Sequence, residues 1–261
     1  MERSLAVALP IDSARDTFPH HAPNAHESTP KVPGTSPTRH AWIRHEHMNR
    51  FGNALTSSIG KKVIMGLTGL LLVGFLVEHL HGNLKLLEDP SGEAFDAYVA
   101  YLQGFGPLLT VAEVGLAVLF LVHVYVALRL THENFLARDR RYVVRKGRVA
   151  TLGSVSMFYT GALLLGYLIK HLLDFRFDAG FFDDPHSRVR AVLSQPGHGI
   201  AYLVAAVVLG VHLSHGFRSA LQSLGANHPR WNPTIEVLGK LLAFFFPVGF
   251  AAFPVYFYFT R

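Results

Sequence analysis

The chain contains no cysteine among its 261 residues. Disulfide bonds, thiolate nucleophiles and zinc or iron–sulfur centres with cysteine ligands are therefore excluded within this chain. Covalent attachment of a c-type haem is excluded too, because its C-x-x-C-H motif is missing. Any cofactor site must be built from other side chains.

Charged residues are also scarce. They make up only 16% of the chain, whereas 50% is hydrophobic, and the mean hydropathy is +0.27. This composition is typical of a multi-pass membrane protein rather than a soluble enzyme. The formal net charge is +6, but the basic residues cluster beside apolar segments, as membrane topology explains. We therefore expect membrane lipid, and no nucleic acid, as a partner.

Residues 1–50 differ from the rest of the chain in composition. They hold six of the 14 prolines and many polar residues. Their one apolar run is too short for the hydrophobic region of a signal peptide. We predict a disordered cytoplasmic tail over residues 1–50 and a five-helix transmembrane domain over residues 51–261.

Five later segments are long and apolar enough to cross a membrane, which takes roughly 20 residues for about 30 Å of hydrocarbon. The sequence thus predicts an all-α integral membrane protein. Between the first two spans, Phe95, Tyr98, Val99 and Leu102 recur at helical spacing. This pattern predicts an amphipathic helix over residues 93–105 that lies on the outer surface. The predicted spans cover residues 59–82, 108–131, 150–173, 197–221 and 234–259.

The gaps between spans predict the orientation. The gap after the second span carries seven arginines or lysines against two carboxylates, whereas the gap after the first carries four carboxylates against one lysine. The positive-inside rule then places the N-terminus in the cytoplasm and the C-terminus outside. We expect the protein in the inner (cytoplasmic) membrane of the cell.

Four histidines lie inside the apolar spans in a repeated pattern. His79 lies in TGLLLVGFLVEHL of the first span, and His171 lies in TGALLLGYLIKHL of the third. His123 and His212, in the second and fourth spans, each follow a proline by 16 residues and precede an arginine by six. Ionisable side chains inside a membrane are costly and usually functional. The pattern predicts an internal duplication with two histidine pairs.

The direction of each span predicts the depth of each pair. His79 and His171, the first pair, lie near the ends of spans that run outward. His123 and His212, the second pair, lie in spans that run inward, ~9 Å of helix before the basic cytoplasmic edge. We therefore expect the first four spans to form a bundle with an approximate two-fold axis along the membrane normal. The fifth helix would lie outside it, and bundle cores commonly hold cofactors.

Two facing imidazoles suit haem, whose porphyrin supplies the remaining four ligands. Zinc would want four protein ligands, or three with water. We predict two haem-binding sites, with Arg129 and Arg218 near the propionates of the inner one, although simple positive-inside flanking also explains these arginines. His81 and His215 are rival ligands, but His81 breaks the repeat and His215 lies shallower than His123. Glycines at 69, 74, 161 and 166 would admit a flat macrocycle or serve ordinary helix packing.

From about residue 51 to residue 259 the chain resembles the dihaem cytochrome b membrane anchor of succinate:quinone oxidoreductases, the succinate dehydrogenases and fumarate reductases. The resemblance implies that His79 and His171 ligate the iron of a distal haem b, and His123 and His212 that of a proximal one. It also implies a five-helix fold and a role as the quinone-reacting subunit. The matching segments are SSIGKKVIMGLTGLLLVGFLVEHL, EAFDAY, EVGLAVLFLVHVYVAL, YTGALLLGYLIKHL and VVLGVHLSHGFRSAL.

The family resemblance also implies partners. A flavoprotein subunit and an iron–sulfur subunit would lie on the cytoplasmic side, and the iron–sulfur subunit would exchange electrons with this anchor. Membrane quinone would be the substrate. The dicarboxylate chemistry is not expected in this chain, because it has no flavin or dinucleotide fingerprint.

Glu113 is the predicted proton acceptor for quinone. It lies at the depth of the distal haem, where a carboxylate is costly, although an interfacial carboxylate that snorkels or pairs with a backbone group is the alternative. Glu78 and Lys170 occupy equivalent positions beside the first histidine pair, and either pair with each other or reach the headgroups. Some relatives carry an acidic residue two positions before the fourth histidine, whereas this chain has Gly210 there.

Two other functions fit the same residues. One is a dihaem cytochrome b anchor of another quinone-linked oxidoreductase, such as a hydrogenase or formate dehydrogenase. The other is a haem-free transporter that uses the histidines as a proton relay. The first four spans lack the glycine or proline interruptions near the middle that transporter helices often show, which disfavours the second alternative.

Overall fold

The computed structural model describes Asn53, residues 56–136 and residues 152–260, with the backbone alone at 152–155. This part of the chain is helical, and five of its helices are long and apolar enough to span a membrane. The prediction of an all-α, multi-pass membrane protein with five spans is confirmed. The predicted tail, residues 1–50, lies outside the described residues.

The helices follow the predicted spans closely. The first half contains α1 (Ser58–Asn83), α2 (Lys85–Glu88), α3 (Glu93–Gln103) and α4 (Pro107–Leu136). The second half contains α5 (Leu152–His171) with a π-helical turn (Leu172–Arg176), then α6 (Pro185–Leu193), α7 (Pro196–Ser223) and α8 (Asn232–Phe259). The five spanning helices are α1, α4, α5, α7 and α8. Several run a few residues past the predicted limits, because a helix continues into polar sequence after the apolar stretch ends.

Proline sets the starts of the helices that carry the second histidine pair. Pro107 begins α4, and Pro196 begins α7. Proline is well tolerated in the first helical turn, where its missing N–H would have no partner within the helix. The 16-residue spacing from proline to histidine therefore places His123 and His212 at the same height above their helix starts.

The packing order explains how the histidine pairs connect the helices. Helix α1 packs against α4 and α7, and α7 packs in turn against α5 and α8. Within the described residues, α1 with α5 and α4 with α7 are not among the closely packed pairs. These are the helices that carry the two histidine pairs. Each pair therefore lies between two helices that stand apart.

Helices α7 and α8 approach each other where glycine on one meets proline on the other. A Cβ atom on Gly210 would lie 2.5 Å from Pro247 Cγ and 2.7 Å from the Ala243 carbonyl oxygen. Farther along, Gly199 faces the buried Pro254. No side chain fits at position 210 without separating the helices, which gives a physical reason for the glycine there.

Short helices cover the end of the bundle that carries the first histidine pair. Phe95 and Val99 of α3 are buried, and Tyr98 and Leu102 are half-buried, so the predicted amphipathic helix is confirmed. Its apolar face packs on protein rather than on lipid alone. The cluster joins α2, α3, α6 and the ends of α7 and α8; its buried members are Leu86, Phe95, Val99, Val189, Val192, Leu193, Tyr202, Phe253 and Phe257.

Helix α6 was not predicted from the sequence. Its N-cap is Asp184, whose side chain accepts a hydrogen bond from Ser187 N, and Pro185 follows at the first helical position. Hydrogen bonds from the side chain and the backbone of Ser187 hold the pKa of Asp184 below its usual value. The Asp-Pro-x-Ser order is a capping signal that sequence reasoning could have used.

The close approach at Gly210 predicts that replacing glycine with alanine affects stability differently at Gly210 and at Gly115. Replacing Gly210 with alanine should destabilise the fold by about 1–3 kcal/mol, because the new methyl group overpacks the α7–α8 contact. A Cβ atom added to Gly115 of α4 would have no neighbour within 4 Å, so Gly115→Ala should leave stability unchanged or slightly raised. The measurement is the unfolding midpoint of the purified chain in detergent. Equal midpoints for the two variants would contradict the described packing.

Candidate functional site

The first histidine pair meets between α1 and α5. The ring centroids of His79 and His171 lie 5.7 Å apart, with the rings nearly perpendicular at 87°. The sequence placed these two residues at one depth, and the structure brings their rings together. The pair offers two imidazoles from opposite helices to a group lying between them.

Aromatic side chains surround the first pair. They come from α1, α5, the π-helical turn, α7 and α8, so the fifth span is less peripheral than expected. The Nδ1 atom of His171 is buried there without a hydrogen-bond partner, an arrangement that costs free energy in a pure packing role. The neighbouring rings are Phe75 and Phe250 beside His79, and Tyr167, Phe175 and Tyr202 beside His171.

The second histidine pair has a different setting. His123 Nδ1 lies 3.1 Å from the hydroxyl oxygen of Thr68, and His212 Nδ1 lies 3.1 Å from that of Thr160. Both threonines are 7% exposed. The two histidines are within electrostatic range of each other. Each imidazole of this pair is thus fixed by a hydroxyl on the neighbouring helix.

The two pairs lie at different heights in the bundle. Thr68, which contacts His123, precedes His79 by eleven residues on the same helix, and Thr160 precedes His171 by the same number. Eleven residues of α-helix rise about 16 Å. The depth difference inferred from the sequence is therefore matched by side-chain contacts.

The four glycines singled out in the sequence divide into two kinds. A Cβ on Gly69 would lie 3.4 Å from His123 Cε1, and one on Gly161 would lie 3.6 Å from His212 Cε1. These two glycines lie against imidazole rings. Gly74 and Gly166 have no neighbour within 4 Å of their Cβ positions. Open space therefore adjoins α1 and α5 between the two histidine levels.

These features fit haem at both pairs. Each pair supplies two imidazoles, the axial ligand set that a porphyrin iron needs. In the described chain, no group of three or more His, Cys, Asp or Glu side chains is arranged to hold a bare metal ion. The unpartnered Nδ1 of His171 and the open space at Gly74 and Gly166 are compatible with a flat group between the helices. The exposed His81 has no such setting.

The predicted propionate partners both have carboxylate neighbours. Arg129 lies 3.5 Å from Glu133, whose carboxylate is also 2.5 Å from Lys61 of α1. Arg218 lies 3.9 Å from Glu236 of α8. Both arginine side chains are about half exposed, and exposed pairs of this length contribute little to stability. The two carboxylates were not assigned from the sequence.

Glu113 has a partner that the sequence did not suggest. Its two carboxylate oxygens accept hydrogen bonds from Arg176 Nε at 3.1 Å and Nη2 at 2.9 Å. The Arg176 guanidinium also lies 5.3 Å from the ring centre of Phe182. Glu113 is therefore tied to the π-helical turn after α5 rather than to backbone or water alone. Arg176 lies just past the predicted end of the third span, and its nearness to the depth of Glu113 was an available signal.

A polar cluster beside His171 was missed, and we call its members the Asp174 cluster: Lys170, Asp174, His198 and Tyr202. The Asp174 carboxylate lies 2.5 Å from Lys170 Nζ and accepts a 2.8 Å hydrogen bond from the Tyr202 hydroxyl. Lys170 Nζ is also 3.0 Å from His198 Nδ1. Lys170 therefore pairs with Asp174 rather than with Glu78, which was one of the two expected alternatives.

The π-helical turn explains the position of Asp174. The wider turn carries this carboxylate into the protein, where it is 9% exposed. Turns of this kind are frequent at functional sites. The signal in the sequence was an aspartate four residues after a lysine at the end of an apolar span.

The Tyr202 hydroxyl should stabilise the fold through Asp174. Tyr202→Phe removes one donor from a buried carboxylate, and we expect a loss of about 1.5–3 kcal/mol in unfolding free energy. Tyr101 of α3 is 66% exposed, so Tyr101→Phe is the matched control and should change little. Unfolding midpoints in detergent measure both. If Tyr202→Phe is as stable as the control, the hydrogen bond has no energetic weight.

Comparisons of the chain with protein-family models, with curated proteins and with solved structures find no match. The function must therefore be inferred from the residues and their geometry.

Proposed function

We propose that this chain is the dihaem cytochrome b anchor of a succinate:quinone oxidoreductase, which passes electrons between an iron–sulfur subunit and membrane quinone. The main support is four intramembrane histidines: His79 and His171 meet ring to ring between separated helices, and His123 and His212 make matching contacts with threonines on neighbouring helices. The likeness of residues 51–259 to that family supports the identity of the partners. No second function is favoured by a specific contact.

The four histidines hold iron in this proposal. His79 and His171 would hold the iron of one haem b, and His123 and His212 would hold that of the other. When bound, haem supplies reversible one-electron transfer. The aromatic rings around the first pair exclude water from it, and the threonine hydroxyls orient the rings of the second pair.

Charged side chains at the helix ends complete the proposed sites. Arg129 and Arg218 lie six residues beyond the second pair and offer positive charge to the haem propionates. Their long, half-exposed ion pairs with Glu133 and Glu236 leave them able to bind another anion. Simple positive-inside flanking predicts the same positions without a bound propionate.

Glu113 accepts a proton during quinone chemistry in this proposal. Quinone reduction consumes protons together with electrons, so an acid–base group is needed near the reduction site. Protonation of Glu113 would break its bidentate ion pair with Arg176. Arg176 would then be free to hold an anionic oxygen, so the two residues would act together.

The partners and location follow from the same proposal. A flavoprotein subunit and the iron–sulfur subunit lie on the cytoplasmic side of the inner membrane, and dicarboxylate chemistry takes place there. Moving an electron across the bilayer costs about 2.3 kcal/mol per 100 mV unless a proton accompanies it. Because the two histidine pairs lie at different depths, electron transfer between them would cross part of the transmembrane potential.

Haem content tests the proposal directly. The purified protein should hold two non-covalent haems b per chain, measured by its reduced-minus-oxidised absorption spectrum and by haem-to-protein ratio. His171→Ala should lose one haem, because it removes one axial ligand of the first pair. His81→Ala is the matched control, since the exposed His81 lies two residues from His79 and should retain both.

Three outcomes would count against the proposal. No haem in protein from native membranes would remove the cytochrome function and favour the proton-relay transporter. Loss of haem in His81→Ala but not in His171→Ala would mean that the ligands are wrongly assigned. Co-purification with a hydrogenase or formate dehydrogenase, rather than with a flavoprotein and an iron–sulfur subunit, would identify a different quinone-linked complex.

The proposed orientation has its own test. Because the chain lacks cysteine, a single introduced cysteine is a unique label site. Gln103→Cys, at the C-terminal end of α3, should react with a membrane-impermeant maleimide added outside intact cells. Asn227→Cys, between α7 and α8, should react only after the cells are opened. The reverse result would invert the topology.

A further inference from the structure

Thr68 and Thr160 occupy the first position of the two similar motifs, TGLLLVGFLVEHL and TGALLLGYLIKHL. The histidines of these motifs, His79 and His171, form the first pair. The threonines do not touch that pair. Each instead contacts a histidine of the second pair on the neighbouring helix, His123 or His212, at 3.1 Å.

The direction of these hydrogen bonds follows from counting protons. A threonine hydroxyl has one proton to donate. The Thr68 hydroxyl oxygen lies 2.8 Å from the Ile64 carbonyl oxygen, and that of Thr160 lies 3.0 Å from the Ser156 carbonyl oxygen. A carbonyl can only accept, so each hydroxyl donates to the preceding turn of its own helix. Toward histidine, each hydroxyl therefore acts as acceptor.

The acceptor role selects one form of each imidazole. An oxygen that accepts from Nδ1 requires a proton on Nδ1, and a neutral imidazole carries only one proton. The Nε2 atoms of His123 and His212 are then left with a free lone pair, the form that binds a metal. An Nδ1–H bonded to an acceptor also makes the ring a stronger electron donor through Nε2.

We infer that Thr68 and Thr160 are positioning residues for the second haem site. They hold His123 and His212 with Nδ1 protonated and Nε2 free for iron. Each of the two motifs thus serves both levels of the bundle: its histidine binds at the first pair, and its threonine orients a ligand of the second. This inference rests on the proposed function for the identity of the bound group.

The first pair lacks the same support. The buried Nδ1 of His171 has no hydrogen-bond partner. The two levels therefore differ in how their ligands are held, and the haem of the first pair serves as an internal reference. A change confined to the second haem can be separated from general damage to the protein.

The test uses the full chain in its native complex and a redox titration followed by absorption and electron paramagnetic resonance. Thr68→Val and Thr160→Val remove the acceptor with little change in volume. Each should raise the midpoint potential of the same haem, that of the second pair, because its ligands become weaker donors to oxidised iron. Each should also weaken retention of that haem by about 10-fold or more.

Three variants serve as controls. Thr68→Ser and Thr160→Ser keep the hydroxyl and should restore the wild-type potential. Ser214 lies two residues after His212, and its hydroxyl donates a hydrogen bond to the Val211 carbonyl rather than to an imidazole. Ser214→Ala removes this hydroxyl. It should leave both potentials unchanged.

Different outcomes would overturn the inference. Thr68→Val could instead shift the midpoint potential of the haem at His79, on the same helix, rather than that of the haem at His123. The threonine would then act by changing the structure of α1. If the valine and serine variants match, or neither potential moves, the hydroxyls do not position the ligands.

A second measurement separates this inference from the proposed function. Nitrogen NMR of histidine-labelled, haem-free chain reports which ring nitrogen carries the proton. We expect Nδ1–H on His123 and His212 and its loss in the valine variants. If wild-type protein contains no haem, the proposed function fails, and this spectrum still decides whether the threonines select the imidazole form. Protonation at Nε2 in the wild type would refute that role.

Discussion

The hydrogen bond between a threonine hydroxyl and a histidine ring occurs twice, where α1 meets α4 and where α5 meets α7. Inside a membrane, water is not available to satisfy a polar ring, so each imidazole needs a partner within the protein. Each bond fixes the rotation of its two helices relative to each other. The remaining features, from glycines beside the rings to the spacing of the two levels, depend on that register.

The sequence predicted the depth of residues along the membrane normal but missed much of the direction in which side chains point around each helix. Spans and depths follow from counts of apolar residues and from the rise of the helix, so the five helices and the meeting of His79 with His171 were predictable. Depth alone pointed to Arg176 as a neighbour of Glu113 but did not predict their contact, because a π-helical turn interrupts the regular rotation of side chains there. The same turn carries Asp174 inward.

The two similar motifs carry different polar groups for a steric reason. In the first motif, the position equivalent to Asp174 is Gly82, and a Cβ there would lie within 2.7 Å of the Tyr98 ring carbon Cζ. Helix α3 therefore leaves no room for a carboxylate at position 82 of α1. At the equivalent position in the second half of the chain, Asp174 pairs with Lys170 and Tyr202.

Helix α1 also sets the separation of the two histidine levels. Thr68 and His79 stand on one uninterrupted helix, so residue number alone sets the distance between the two histidine levels. Loops can lengthen or shorten without altering it. One residue inserted between these positions would turn His79 by about 100° and shift it by about 1.5 Å, away from His171. An insertion that keeps both histidine levels in place must therefore lie outside the segment from Thr68 to His79.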